Sequence, residues 1–217
     1  SGNEVSLPYG HYDSAAKTIT VSIARFGHYA VGYNKIIFND VSESAWYNKA
    51  VSFVAARSIT LGTGSGNYSP DANLTRGQFI VMLMRAYDIS PDVNSMDNFS
   101  DSGNTYYTGY LAAAKRLGLS SGVGNNMFAP DNEITRQEMF TLLYNVLKTA
   151  RNLPKGNSGK TLANFSDAGK IDTWSREAMA LLVETGIIEG ADGKLSPIST
   201  ATRAEMAQVL YKLLKGC

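Results

Sequence analysis

Three stretches of this 217-residue chain repeat one another, and that self-similarity limits the available folds before any single motif is weighed. Each begins with an aromatic, any residue, then aspartate: Phe38-Asn39-Asp40, Phe99-Ser100-Asp101 and Phe165-Ser166-Asp167. A second aromatic follows at the head of an amphipathic stretch (Trp46, Tyr106 or Trp174), and a glycine-bearing loop then closes on Pro70, Pro130 or Pro197. Six residues after each proline stands an arginine in a Thr-Arg pair: Thr75-Arg76, Thr135-Arg136 and Thr202-Arg203. From second aromatic to arginine the separations are 30, 30 and 29 residues. Chance does not produce three matched markers at matched spacing.

The residues between the markers carry helical periodicity. After each arginine, apolar residues recur at i, i+3, i+4, i+7 and i+8: Phe79, Met82, Leu83, Ala86 and Tyr87; Met139, Leu142, Leu143, Val146 and Leu147; Met206, Val209, Leu210, Leu213 and Leu214. That spacing gives one wide buried stripe per helix. An earlier helix in each unit is patterned too, with Ala50, Val51 and Val54, then Tyr110, Leu111 and Ala114, then Ala178, Met179 and Leu182. Each unit therefore reads as helix, glycine loop, helix, over residues 38–90, 99–150 and 165–215. A unit of that size cannot bury its own apolar face, so three are expected to pack together. The connections Asp88–Asn98 and Lys148–Asn164 are polar, contain Pro91 and Pro154, and read as exposed loops.

Residues 1–37 differ in kind. Ile19, Val21 and Ile23 alternate with Thr20, Ser22 and Ala24, the period of a strand, and Gly27-His28 could turn the chain into Tyr29-Ala30-Val31-Gly32-Tyr33. This segment reads as a β-hairpin, the tail of an upstream β domain or a linker. A lone hairpin is marginal, so it is expected to lean on the helical body or to pair with a second copy. The opening Ser1-Gly2-Asn3-Glu4 has neither the basic start nor the apolar stretch of a secretory signal, and the chain reads as an excised fragment.

Composition excludes several functions. Twenty basic against 19 acidic residues leave no broad field to gather nucleic acid or coat an anionic membrane, and no apolar run is long enough to span one. The single cysteine, Cys217, allows no internal disulfide or cysteine metal cage. His11 and His28 both fall in the first segment and read as surface residues. Asp71, Asn73, Asp131, Asn132 and Glu133 lack calcium-loop spacing, and no Gly-Lys-Ser/Thr follows the glycines, so neither a metal nor a cofactor is expected.

The chemistry therefore rests on the repeated residues. Thr75-Arg76-Gly77-Gln78, Thr135-Arg136-Gln137-Glu138 and Thr202-Arg203-Ala204-Glu205 are capping boxes, each N-cap hydroxyl contributing about 1 kcal/mol. Capping does not explain an arginine at the first helical position, where the helix dipole disfavours positive charge. An anion bound there would explain it: free N–H groups favour the anion, and the guanidinium grips a carboxylate through two parallel bonds. A structural role for each arginine is the competing reading. Trp46, Tyr106 and Trp174 are either core aromatics or stacking platforms for a sugar ring. Gly62, Gly64, Gly122, Gly124 and Gly190 allow turns or close backbone approach to a ligand. Asp40, Asp101 and Asp167 most simply cap a helix or hold the loop, with direct ligand binding the lesser alternative.

The order Phe-x-Asp, Trp, glycine loop, Pro, Thr-Arg-x-Glu resembles the S-layer homology (SLH) domain of bacterial cell-surface proteins, over Phe38 to Lys215. The resemblance implies a mainly α, pseudo-three-fold assembly of helix–loop–helix repeats around a central three-helix bundle. It implies non-covalent anchoring to secondary cell-wall polysaccharide, often through pyruvate-ketal N-acetylmannosamine held in grooves between units. The family's arginine, matched by Arg76, Arg136 and Arg203, is associated with that carboxylate. It also implies an extracellular location at the cell wall or S-layer. Three departures suggest unequal grooves: Gln78 replaces the usual Glu, Tyr106 replaces Trp, and the third loop is one residue shorter with Leu195 in place of Tyr68 and Phe128.

The resulting expectation is a non-catalytic wall anchor that binds an anionic glycan, monomeric or dimeric through the hairpin. Two other classes compete with it. One is a structural oligomerisation or protein-interaction module of the cell surface; direct peptidoglycan binding is a variant of the anchor itself. A glycosidase would need two carboxylates across a cleft, and nothing singles out such a pair.

Overall fold

A computed structural model describes residues 11–13, 15–21, 23, 26–32 and 34–215. Six helices carry the architecture: α1 (Asn48–Ala56), α2 (Arg76–Ala86), α3 (Thr108–Arg116), α4 (Arg136–Thr149), α5 (Arg176–Glu184) and α6 (Arg203–Lys215). In the third unit, short 3-10 turns at Leu162–Asn164, Ala168–Lys170 and Thr173–Ser175 lead into α5. The protein is mainly α, as the periodicities require.

The units are not self-contained hairpins. The first helix of each packs on the second helix of the preceding unit: α3 on α2, α5 on α4, and α1 on α6. α2 also packs against both α4 and α6. One backbone ring closes the cycle. Leu74 N–H donates to the Ala201 carbonyl, Ala201 N–H to Ile134, and Ile134 N–H back to Leu74, at 2.9, 3.0 and 2.9 Å. Leu74, Ile134 and Ala201 are fully buried, so water is not available to these groups and each must find a peptide partner.

This interlocking widens the buried surfaces beyond one stripe. Ile80, Val81 and Met84 of α2 are buried along with Phe79, Met82, Leu83 and Ala86, because α2 has neighbours on several sides. The second helices start where expected. Thr75 and Thr135 close complete capping boxes with Gln78 and Glu138. At α6, the Thr202 N–H donates to Glu205 Oε2 and the Glu205 N–H to Thr202 Oγ1.

The hairpin lies earlier than the strand alternation suggested. β1 (His11–Asp13) pairs antiparallel with β2 (Thr18–Thr20), His11 opposite Thr20. Asp13 sets the turn, its carboxylate accepting the Ala15 and Ala16 N–H groups at 2.8 and 3.0 Å. Among the described residues no strand forms over 29–32, after Gly27-His28. Ile19 and Ile23 stay exposed, so their alternation has no buried face to serve. The segment joins the body further on, where Asn34 Nδ2 donates to the Ala56 carbonyl and Ile36 packs on the core. Ser22, Ala24, Tyr33 and Cys217 lie outside the described residues.

Candidate functional site

The three Phe-x-Asp motifs fasten the glycine loops. Asp40 accepts the Tyr68 and Ser69 N–H groups at 2.8 and 2.7 Å. Asp101 does the same for Phe128 and Ala129, and Asp167 for Leu195 and Ser196. Burial would raise the carboxyls of Asp40 and Asp167, but the backbone N–H donors, together with the Arg203 charge near Asp40 and the Lys170 charge near Asp167, outweigh it and hold both below the usual carboxylate range. Each phenylalanine ring lies over a glycine. A Cβ on Gly62, Gly122 or Gly190 would strike Phe38, Phe99 or Phe165 respectively, and also a carbonyl across the loop. These three glycines have φ between 69° and 81°, so turn geometry and the close approach of a ring account for them. Gly64 and Gly124 also have positive φ but face open space.

The same loop is gripped from its other side by an arginine of the preceding unit. Arg76 Nε donates to the Phe128 carbonyl at 2.8 Å and its Nη1 to Glu138 Oε1 at 2.8 Å. Arg136 Nε donates to the Leu195 carbonyl and Nη1 to Glu205 Oε1, at 2.9 and 2.6 Å. Arg203 closes the cycle on the first unit, with Nε to the Tyr68 carbonyl at 2.7 Å and Nη2 to Thr60 Oγ1 at 3.4 Å. Its guanidinium stacks over the Tyr68 ring, as that of Arg76 does over Phe128, each 4.7 Å from the centroid. Tyr68 returns a bond, its hydroxyl donating to the Arg203 carbonyl.

The arginines are thus interior staples between units. Arg76 and Arg203 are 5% and 4% exposed, and burial pushes both guanidinium pKa values down. Nearby charge counters that for Arg76 through Glu138 and then Asp101; for Arg203 the opposing groups are Tyr68, Tyr106 and Asp40.

The helix starts correct one expectation. They do not offer free N–H groups to an anion. Arg76 and Gly77 donate theirs to Asn132 and Pro130, Arg136 and Gln137 to Ser199 and Pro197, and Arg203 and Ala204 to Ala72 and Pro70. The threonine hydroxyls take the next N–H groups. The neighbouring unit fills the positions that an anion would need, leaving only the guanidinium.

The second aromatics stand outside the core. Trp46, Tyr106 and Trp174 are 64%, 60% and 52% exposed. Trp46 and Tyr106 are propped edge-on by Tyr47 and Tyr107, with centroids 5.2 and 5.1 Å apart. Trp46 lines a groove of about 410 Å³ together with Arg136, Gly190, Leu195, Glu205 and Gln208. That groove draws on all three units: the aromatic from the first, the arginine from the second, the glycine loop from the third. Tyr106 of the second unit stands correspondingly within the field of Arg203, which opposes the upward push of burial on its phenol.

Two groups of residues have a role beyond the one the sequence assigns them. Glu138 and Glu205 use one oxygen for their own helix cap and the other for the arginine of the preceding unit. The signal was present, since a cap occupies only one of the two carboxylate oxygens. Phe128 and Leu195, fixed through N–H by aspartate and through C=O by arginine, are the points where both clamps meet. Among the described residues there is no group of three or more His, Cys, Asp or Glu that could hold a metal ion, and no helix is long and apolar enough to cross a membrane.

The S-layer homology domain model matches residues 37–80, 98–140 and 164–207, more than half of the chain. Over 208 residues the chain is 31% identical to an amylopullulanase of Thermoanaerobacterium thermosulfurigenes, covering 95% of this chain and 11% of that enzyme. It is 30% identical to the exoglucanase XynX of Acetivibrio thermocellus, covering 83% of this chain and 16% of that one. It is 29% identical to the S-layer protein sap of Bacillus anthracis, covering 81% and 21%. The chain therefore spans about a tenth to a fifth of the length of these relatives. Relatives named for different activities thus each match this chain over a small part of their own length. With three tandem matches in register with the observed units, the chain belongs to the S-layer homology family of cell-surface anchoring modules.

Proposed function

We propose that this chain is a non-catalytic module that holds a surface protein to the bacterial cell wall by binding an anionic secondary wall polysaccharide in the grooves between units. The observation that carries the reading is the Trp46 groove. There an exposed indole, a guanidinium and a glycine loop from three different units face one concave space. An indole face stacks on the apolar face of a sugar ring, and loop peptides offer donors and acceptors to its hydroxyls. The arginines supply positive charge, and a pyruvate ketal on N-acetylmannosamine would present the matching carboxylate. Asp40, Asp101, Asp167, Gly62, Gly122 and Gly190 contribute by shaping the loops, while Gly64 and Gly124 leave room for close approach. The S-layer proteins among the relatives favour a location at the cell surface.

Co-sedimentation with purified wall sacculi tests this. The protein should pellet with native sacculi and stay in solution once the polysaccharide has been stripped from the peptidoglycan. Trp46→Ala should weaken pelleting severalfold at unchanged helicity. Equal pelleting with stripped sacculi would replace the polysaccharide by peptidoglycan as the ligand.

A further inference from the structure

Residues 19–37 carry apolar surface that the helical body does not use. Among the described residues sixteen large apolar side chains are exposed, and six of them fall in this short stretch: Ile19, Ile23, Phe26, Tyr29, Val31 and Ile37. Phe26 is fully exposed, and Val31 and Ile37 are 77% and 72% exposed. Single exposed apolar residues are normal, whereas such a concentration marks a surface that something else covers.

The pattern fits a sheet. Ile19, Val21 and Ile23 alternate with Thr20, Ser22 and Ala24, and Tyr29, Val31 and Tyr33 alternate with Ala30 and Gly32. In an extended chain each apolar set falls on one side. Among the described residues only β1 and β2 pair, over three residues each. Phe26, Gly27, His28, Ala30, Val31 and Gly32 make no backbone hydrogen bond there. Their N–H and C=O groups are open to a ladder and their apolar neighbours to a core, the two things a strand takes from a sheet.

Two observations point to a neighbouring part of the same longer chain as the occupant. The match to the amylopullulanase covers 95% of this chain, so it runs through most of residues 1–37, yet this chain is only 11% of that relative. The match to the S-layer protein sap covers 81%, about the share that residues 38–215 make up. The stretch therefore accompanies the repeats in a relative with much more chain beside it. The second observation is how the stretch is tied. Asn34 Nδ2 donates to the Ala56 carbonyl at 2.8 Å and Ile36 packs on the core, so residues 26–32 are held close to the C-terminal end of α1. Trp46 stands before the other end of α1, about 14 Å away along the axis, so an occupant of the stretch sits at the far end of α1 from the Trp46 groove. A covalently joined domain meets the stretch at millimolar effective concentration, whereas a second copy must meet the whole cost of association.

We propose that the β1–β2 hairpin and residues 26–32 are the closing strands of a β domain that precedes the repeats in a longer protein. The sheet edge of that domain pairs with the backbone of residues 26–32, and its core takes Ile19, Ile23, Tyr29 and Val31. Tied by Asn34 and Ile36, these strands make a short joint that holds the domain against the anchor.

Hydrogen exchange read by mass spectrometry tests this on the 217-residue chain and on the longer chain that its gene encodes. In the 217-residue chain the amides of residues 26–32 should exchange as fast as in an unstructured peptide. In the longer chain they should slow about a hundredfold, with the helices α1–α6 unchanged. Val31→Asp places a charge where the sheet would cover it, so it should abolish that slowing and leave the urea midpoint of the 217-residue chain unaltered. Equal exchange in both chains overturns the proposal, as does slowing that survives Val31→Asp, or a gene that encodes no chain ahead of residue 1. Sedimentation at several concentrations covers the rival occupant. Protection of residues 26–32 that appears in the 217-residue chain only as it dimerises would make a second copy the occupant and overturn the proposal as well.

Discussion

Replacing Arg76 and Arg203 by methionine, one at a time, should have unequal consequences for stability, and the structure sets the difference. Methionine keeps most of the apolar stem over Phe128 or Tyr68 and removes every donor. In Arg76→Met the Phe128 carbonyl loses its 2.8 Å guanidinium bond, which costs about 1–3 kcal/mol when the acceptor is left unpaired. Glu138 also loses its partner. Its side chain is 25% exposed, so water can return to it, and that loss adds about 1 kcal/mol. The expected sum is about 2–4 kcal/mol. Arg203→Met forfeits a like bond to the Tyr68 carbonyl and a long one to Thr60, but no ion pair, because Asp40 opposes the Arg203 charge without forming a salt bridge. Its cost should be lower by about 1 kcal/mol or more. Urea unfolding followed by circular dichroism reads both, provided the denaturant slope is unchanged. An Arg203→Met loss equal to or larger than that of Arg76→Met would refute the claim that Arg203 lacks an ion pair like the one Arg76 makes with Glu138.

The clamps and the interlocking make further predictions. Gly122→Ala, which forces a Cβ into Phe99 and the Met127 carbonyl at positive φ, should cost several times what Gly124→Ala costs, the latter facing open space with strain of about 1 kcal/mol; thermal midpoints compare them. Asp40 and Asp167 have folded pKa values below their unfolded ones, so their stabilisation is complete above about pH 4 and is lost as pH falls through the depressed values. Urea midpoints measured from pH 6 to pH 2 should decline on that acid side, and Asp167→Asn should flatten the decline. Removing residues 165–215 takes α6 from α1 and α5 from α4, so the remainder should show no cooperative unfolding transition; a sharp native-like transition would mean that the units fold independently.

How much of this could be read in advance follows from the range of each interaction. The helices α2, α4 and α6 were legible because a 3.6-residue period and a capping box are local signals. The aspartates, read most simply as helix caps or loop holders, hold their loops, 27 to 29 residues away within one unit. The arginines were harder. Their partners lie 62 and 69 residues away in the next unit, and the helix-end geometry that suggested an anion is the same geometry that admits a neighbour's carbonyls. Periodicity names a buried face without naming what covers it, so the packing of α1 on α6, from opposite ends of the chain, was beyond it. The hairpin was misplaced because alternation over 19–23 outweighed a single aspartate that sets the turn. The departure at Gln78 was visible as a lost charge; only the cyclic order of the units shows that it stands where a glutamate pairs with Arg76 or Arg136, so that Arg203 makes no such ion pair.

The placement of glycan in the grooves is tested most directly through the two tryptophans, Trp46 and Trp174, which are the only ones in the chain. Both are exposed second aromatics. On titration with purified wall polysaccharide, both indole N–H resonances should shift saturably, and no shift should follow addition of stripped peptidoglycan. Silent indoles in a protein that nonetheless pellets with native sacculi would put the binding surface elsewhere on the molecule.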